Sequence, residues 1–200
     1  MDTAISILDA LEAQLGPDTI QTLSTQLGSE TIATSHAVSM AVPILLGRLS
    51  KNAADAEGSA ALSNALDAHD GGILDNLPAL LKSGGLGSSI LSHILGSRRV
   101  PVEEGVGRAS GLSANQVGQL LTVLAPLIMG VLGRMKRDQG VNAEQLPVVL
   151  GQANLEMARQ STAVGDLSRV LDSSQDGQIA ADVARIGSSI ASGMLGQPAA

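Results

Sequence analysis

The sequence predicts an all-α protein, and three observations predict it. The chain contains no Phe, Trp or Tyr, so Leu, Ile, Val, Ala and Met must fill its interior. Such side chains suit helix packing, whereas strands favour aromatic and β-branched residues. Apolar positions recur at helical spacing, most clearly at Val117, Leu120, Leu121, Leu124, Leu127, Ile128, Val131 and Leu132. The 23 glycines, many for a helical chain, then mark frequent helix stops. Two hundred residues with 44% hydrophobic content suffice for one sizeable core, or for two small units sharing one.

In chain order, an amphipathic helix is expected over residues 3–15, ended by Gly16-Pro17, and a short one over 18–27, stopped by Gly28. Ser29 is expected to cap a helix over 30–40 that continues to about residue 54. A helix over 57–66, a turn at 67–72 and a helix over 73–81 follow, and the Ser/Gly segment 82–89 reads as a joint. Residues 90–95, a loop at 96–99 and a helix near 102–109 lead to Ser110-Gly111. The main apolar helix, 112–137, opens on the capping box Ser113-Ala114-Asn115-Gln116 and is expected to be buried nearly all round. Its second face carries Gly118, Thr122, Pro126 and Gly130, a row of small side chains that lets another backbone come close. Pro126 lacks the N–H that would bond the Thr122 carbonyl, so a kink or a break is expected there. Residues 142–150 close this region, 151–166 read as looser, and 167–171 form a short turn. A polar loop at 172–177 precedes a last amphipathic helix, 179–195, with Ile179, Val183, Ile186, Ile190 and Met194 on one stripe.

Two of these stretches echo each other. Val42-Pro43-Ile44-Leu45-Leu46-Gly47 lines up with Ala125-Pro126-Leu127-Ile128-Met129-Gly130, and the small row Ser39, Pro43, Gly47 with Thr122, Pro126, Gly130. Basic residues follow both, Arg48 and Lys51 in one, Arg134, Lys136 and Arg137 in the other. The expected architecture is therefore two related multi-helix units, about 1–67 and 88–151, an internal duplication packed through kinked apolar helices. Together they make a helical domain over 1–151, with a linker, an acidic loop and a C-terminal helix over 152–200.

Four separated segments carry a family resemblance. They are Pro43-Ile44-Leu45-Leu46-Gly47, the run Leu66-Asp67-Ala68-His69-Asp70-Gly71-Gly72-Ile73-Leu74-Asp75, Ser92-His93-Ile94-Leu95-Gly96, and Ser110-Gly111-Leu112-Ser113 with the apolar run to Gly130. In this order they resemble the YidB-like bacterial family, a domain of unknown function (number 937), over about residues 5–151. The resemblance implies a bacterial all-helical protein with no assigned reaction, cofactor or established site.

Composition narrows the function further. A net charge of −7 argues against nucleic-acid binding, and the absence of cysteine excludes disulfides, thiolate catalysis and Cys-based metal sites. The N-terminus lacks the basic and continuously apolar regions of a signal peptide, so a cytoplasmic location is expected. The uncharged run 112–133 reaches transmembrane length but contains Ser113, Asn115, Gln116, Gln119, Thr122 and Pro126, which favours a buried core helix over a span.

The sharpest ligand candidate is calcium at the loop Asp172-Ser173-Ser174-Gln175-Asp176-Gly177-Gln178-Ile179. Asp172, Ser174 and Asp176 occupy the first, third and fifth positions of calcium-loop grammar, with Gly177 at the sixth. Position twelve is Val183, and Asp182 sits one place early, so the set is degenerate and competes with a plain helix-capping turn. Asp67-x-His69-Asp70 places a histidine between carboxylates; a helix end with Asp70 as cap is preferred there over a metal or general-base role. His36, which matches Gln119 in the second unit, is expected as a buried hydrogen-bonded position, and His93 as a packing residue. Arg134, Lys136 and Arg137 read as a solvated helix end that favours the dipole, with an anionic lipid or acidic partner as the minority reading. No nucleophile elbow, phosphate loop, dinucleotide fingerprint or His-Glu-x-x-His motif is present, so no enzymatic activity is expected. The leading expectation is a protein-interaction or scaffold module working through an apolar groove, with self-association included. A calcium-modulated regulator and a peripheral membrane protein are the alternatives.

Overall fold

The computed structural model describes residues 3–68 and 85–160, and every regular element among them is a helix. The order is α1 (Thr3–Gln14), α2 (Pro17–Leu27), α3 (Thr31–Asn52), α4 (Ala56–Asp67), α5 (Gly85–Leu95), a 3-10 turn (Gly96–Arg98), α6 (Arg99–Ser110), α7 (Ala114–Gln139) and α8 (Leu146–Gln160). The all-helical class thus follows the aromatic-free composition. Of the turn expected at 67–72, Asp67 still belongs to α4 and Ala68 begins a turn; residues 69–72, the helix expected over 73–81, and everything after residue 160 lie outside the described residues.

Local chemistry sets the boundaries. Gly28, Gly111 and Gly140 close α2, α6 and α7 at φ of 60°, 83° and 66°, a left-handed backbone that glycine adopts without strain. The capping box at α7 forms in full: Ser113 Oγ accepts the Gln116 N–H at 3.2 Å, and Gln116 Oε1 accepts the Ser113 N–H at 2.9 Å. Ser29 does not cap α3 as expected. The helix starts at Thr31 with Glu30 in the cap position, while Ser29 Oγ bonds Thr34 Oγ1 at 2.8 Å. Asp55 caps α4, accepting the Gly58 N–H at 2.7 Å.

Two long helices form the centre. α7 packs against each of α1 to α6, and α3 packs against α2, α4, α5, α6, α7 and α8. Leu120, Leu121, Leu124, Leu127 and Ile128 of α7 are completely buried, as are Ile44, Leu45 and Leu46 of α3. One hydrophobic cluster joins them to Ile7 and Leu11 of α1, Leu23 of α2, Leu91 of α5 and Leu150 of α8. α3 and α7 are also the described helices long and apolar enough to cross a membrane; 61% and 78% of their apolar stretches are buried inside the fold.

The small row of α7 admits its neighbours as its spacing predicts. A Cβ added at Gly87 of α5 would collide with the Thr122 carbonyl oxygen, and one at Gly118 would stand 2.8 Å from Glu103 Oε1 of α6. The Thr122 carbonyl is the acceptor that Pro126 leaves unbonded, so α5 brings a Cα–H of Gly87 against the freed oxygen. No break occurs: both α7 at Pro126 and α3 at Pro43 continue as helix. One missing N–H removes a single rung of the ladder, and the packing around these buried residues holds the rest.

Another expectation fails at the end of the described residues. Residues 151–160, read as loose, complete α8, which packs against α1 and α3. Gly151 suggests a stop, but Leu146, Val149, Leu150 and Ala153 bury at helical spacing and override it.

Candidate functional site

The C-terminal ends of α4 and α7 meet at a cleft of about 480 Å³. Leu66, Gly133, Gly140 and Val141 supply its apolar lining, with Asp67 and Lys136 on the rim. A helix ends with unbonded carbonyls and a partial negative charge, and both invite a cation. Lys136 sits at this end: its Nζ donates to the Ser63 carbonyl, in the last turns of α4, at 2.8 Å and pairs with Asp67 Oδ1 at 2.6 Å. The Lys136 side chain is 16% exposed and Asp67 66% exposed, so the ammonium is held within the structure while its partner faces water.

This corrects the reading of Arg134, Lys136 and Arg137 as a solvated end. Arg137 is exposed beside Asp138, but Lys136 is a tether between helices. The reason is tertiary: α4 ends beside α7, which no spacing along the chain records. Asp67, the first residue of the Asp67-x-His69-Asp70 motif, is thereby drawn to Lys136; His69 and Asp70 lie outside the described residues.

The same device recurs at other helix ends. Gln116 Nε2 donates to the Leu27 carbonyl at the end of α2 at 3.0 Å. Asn52 Nδ2 donates to the His93 and Ile94 carbonyls of α5 at 3.3 and 3.2 Å. Away from any helix end, Ser59 Oγ of α4 donates to the Ala143 carbonyl in the connection between α7 and α8. Polar side chains here satisfy backbone groups of neighbouring elements.

The remaining candidate positions are distributed. His36 is half-buried and its counterpart Gln119 is exposed, so the expected matched pair of buried polar residues does not exist. His93 is exposed, with Nδ1 on the Ser89 carbonyl at 2.9 Å, and is not a packing residue. Among the described residues no group of three or more His, Cys, Asp or Glu side chains could hold a metal ion. Asp172, Ser174, Asp176 and Asp182, the expected calcium ligands, lie outside the described residues.

A surface that the sequence reading missed lies on α8. The helix buries Leu146, Val149, Leu150 and Ala153 and turns Val148 and Leu155 outward, 59% and 62% exposed. The two are seven residues apart, hence two helical turns, and share a face. Gly151 lies between them, and a Cβ there would meet nothing within 4 Å. The available signal was the double apolar pattern of 146–155, masked by reading 151–166 as loose.

Comparison with known proteins agrees with the resemblance drawn from the residues. The model of a family described as "Bacterial protein of unknown function (DUF937)" matches residues 9–135. No curated protein and no solved structure matches the chain.

Proposed function

The chain belongs to this family of bacterial proteins of unknown function, and from that premise we propose that it is a non-enzymatic interaction module that engages a protein partner through α8. One observation carries the reading: α8 is apolar on two sides, one side seated in the fold and the other facing solvent. Val148 and Leu155, exposed on one face of α8, would be stabilised by burial against a second surface. Gly151 between Val148 and Leu155 lets that second surface approach the helix backbone. In the same reading α3 and α7 descend from one duplicated element, supported by the interior prolines Pro43 and Pro126 and by their shared place in the core.

The test is site-specific photocross-linking in the bacterium that encodes the protein. A benzophenone amino acid at position 148 or 155 should yield adducts of defined mass, and one at exposed Thr25 of α2 should not. Purified chain illuminated alone reads self-association as a dimer band. Absence of adducts from both α8 positions, in cells and in purified protein, removes the proposal.

A further inference from the structure

The face that α8 turns to solvent is symmetric about its own middle. Val148 and Leu155 stand on it, both more than half exposed, with Gly151 and the exposed Gln152 between them. Exposed Glu144 comes four residues before Val148, in the turn that leads into α8, and Arg159 comes four residues after Leu155. At about 100° per residue, positions 148, 151, 152, 155 and 159 fall on one stripe of the helix. It lies opposite Leu146, Val149, Leu150 and Ala153, which bury in the fold. Along the stripe the order is acid, apolar, small beside polar, apolar, base.

Such a stripe complements a copy of itself turned end over end. A two-fold axis passing between Gly151 and Gln152 sets Val148 of each copy against Leu155 of the other. It also sets Glu144 against Arg159 at both ends and lays each Gln152 over the other copy's Gly151. That glycine has room for the approach, since an added Cβ would meet nothing within 4 Å. This is the isologous condition, in which residue i meets j and j meets i. A parallel pairing would instead set Glu144 against Glu144 and Arg159 against Arg159, and like charges oppose it.

We infer that the outer face of α8 takes a second copy of this chain, paired antiparallel about a two-fold axis at Gly151 and Gln152. This inference rests on the reading of the protein as an interaction module and names the partner of that same face. One helix face per copy is a small contact beside the roughly 1,200 Å² that stable interfaces bury, so the dimer dissociates on dilution.

The test uses the purified full chain. Sedimentation equilibrium measures the dimer constant, with interference optics because the chain has no Trp or Tyr. Glu144→Arg and Arg159→Glu, each alone, set like charges at both ends and should weaken the dimer about tenfold. An equimolar mixture of these two variants should restore it, because one copy then carries bases at both ends and the other carries acids. A role in folding alone would not give that recovery. Val148→Asp with Leu155→Asp should abolish the dimer while leaving the helical circular dichroism spectrum unchanged. For the arrangement, Val148→Cys and Leu155→Cys each supply the single thiol of a chain without native cysteine. Oxidation of their mixture should join the two variants to each other and neither to itself. Equivalent positions stand about 10 Å apart along the antiparallel pair, beyond the reach of a disulfide. A wild-type chain that stays monomeric up to about 1 mM overturns the inference. So does a dimer indifferent to the substitutions at 148 and 155, a charge-variant mixture as weak as either variant alone, or disulfides that join each variant to itself. Cellular adducts of positions 148 or 155 with a different protein, beside a monomeric purified chain, leave the interaction reading standing and remove only the second copy. Absence of adducts in cells and in purified protein removes both.

Discussion

Gly87 and Gly151 are both helical glycines, and they should respond to an added methyl group in opposite directions. At Gly87 the methyl meets the Thr122 carbonyl and side chain across the α5–α7 contact, so Gly87→Ala should lower stability by about 1–3 kcal/mol. At Gly151 it meets nothing, so Gly151→Ala should raise stability by about 0.5–1 kcal/mol through helix propensity. Urea unfolding followed by far-ultraviolet circular dichroism measures both, since a chain without Trp or Tyr offers no intrinsic fluorescence signal. Lys136→Met should lower stability by about 1–2 kcal/mol, because a largely buried ammonium and its bond to the Ser63 carbonyl are lost. Asp67→Asn should change it by less than about 1 kcal/mol, its carboxylate being mostly solvated, and 1 M salt should shrink that difference. At this scale Ser113 and Gln116 were legible because a capping box is local in sequence. The role of Lys136 was not, because its two partners, Ser63 and Asp67, come from another helix.

At the scale of elements, caps and faces separate the local from the tertiary. Ser113→Ala should lower stability by about 1–2 kcal/mol, the upper part of the capping range. Ser113 is held by Gln116, which also binds the end of α2, so removing the hydroxyl loosens a joint as well as a helix start. Asp55→Ala should show about 1 kcal/mol in the same unfolding measurement. On α8, Val148→Asp with Leu155→Asp should leave stability within about 1 kcal/mol, since both side chains already face water. Leu150→Ala should lower it by about 2–5 kcal/mol. The contrast within one helix identifies which face belongs to the fold. The sequence pattern held this information at 146, 149, 150 and 153, but an internal glycine outweighed it until the neighbouring α1 and α3 were in view.

At the scale of the molecule, α3 and α7 share one core and should unfold together. A single circular dichroism transition is expected, and Leu124→Ala should move that transition by about 2–5 kcal/mol without splitting it. Two resolved transitions would show that the halves of the chain fold independently. By itself the sequence determined the helical class, most helix boundaries, the central position of α7 and the use of its small row for close approach. These follow from composition, from spacing along one helix and from caps within four residues, all of which are local physics. Only the tertiary structure decided that Lys136 ties α4 to α7, that Gly87 faces the carbonyl left by Pro126, and that α8 seats one apolar face while presenting the other. Each of these pairs residues far apart in the chain, and which helix ends meet is settled by how the whole set of apolar faces packs, not by any segment alone.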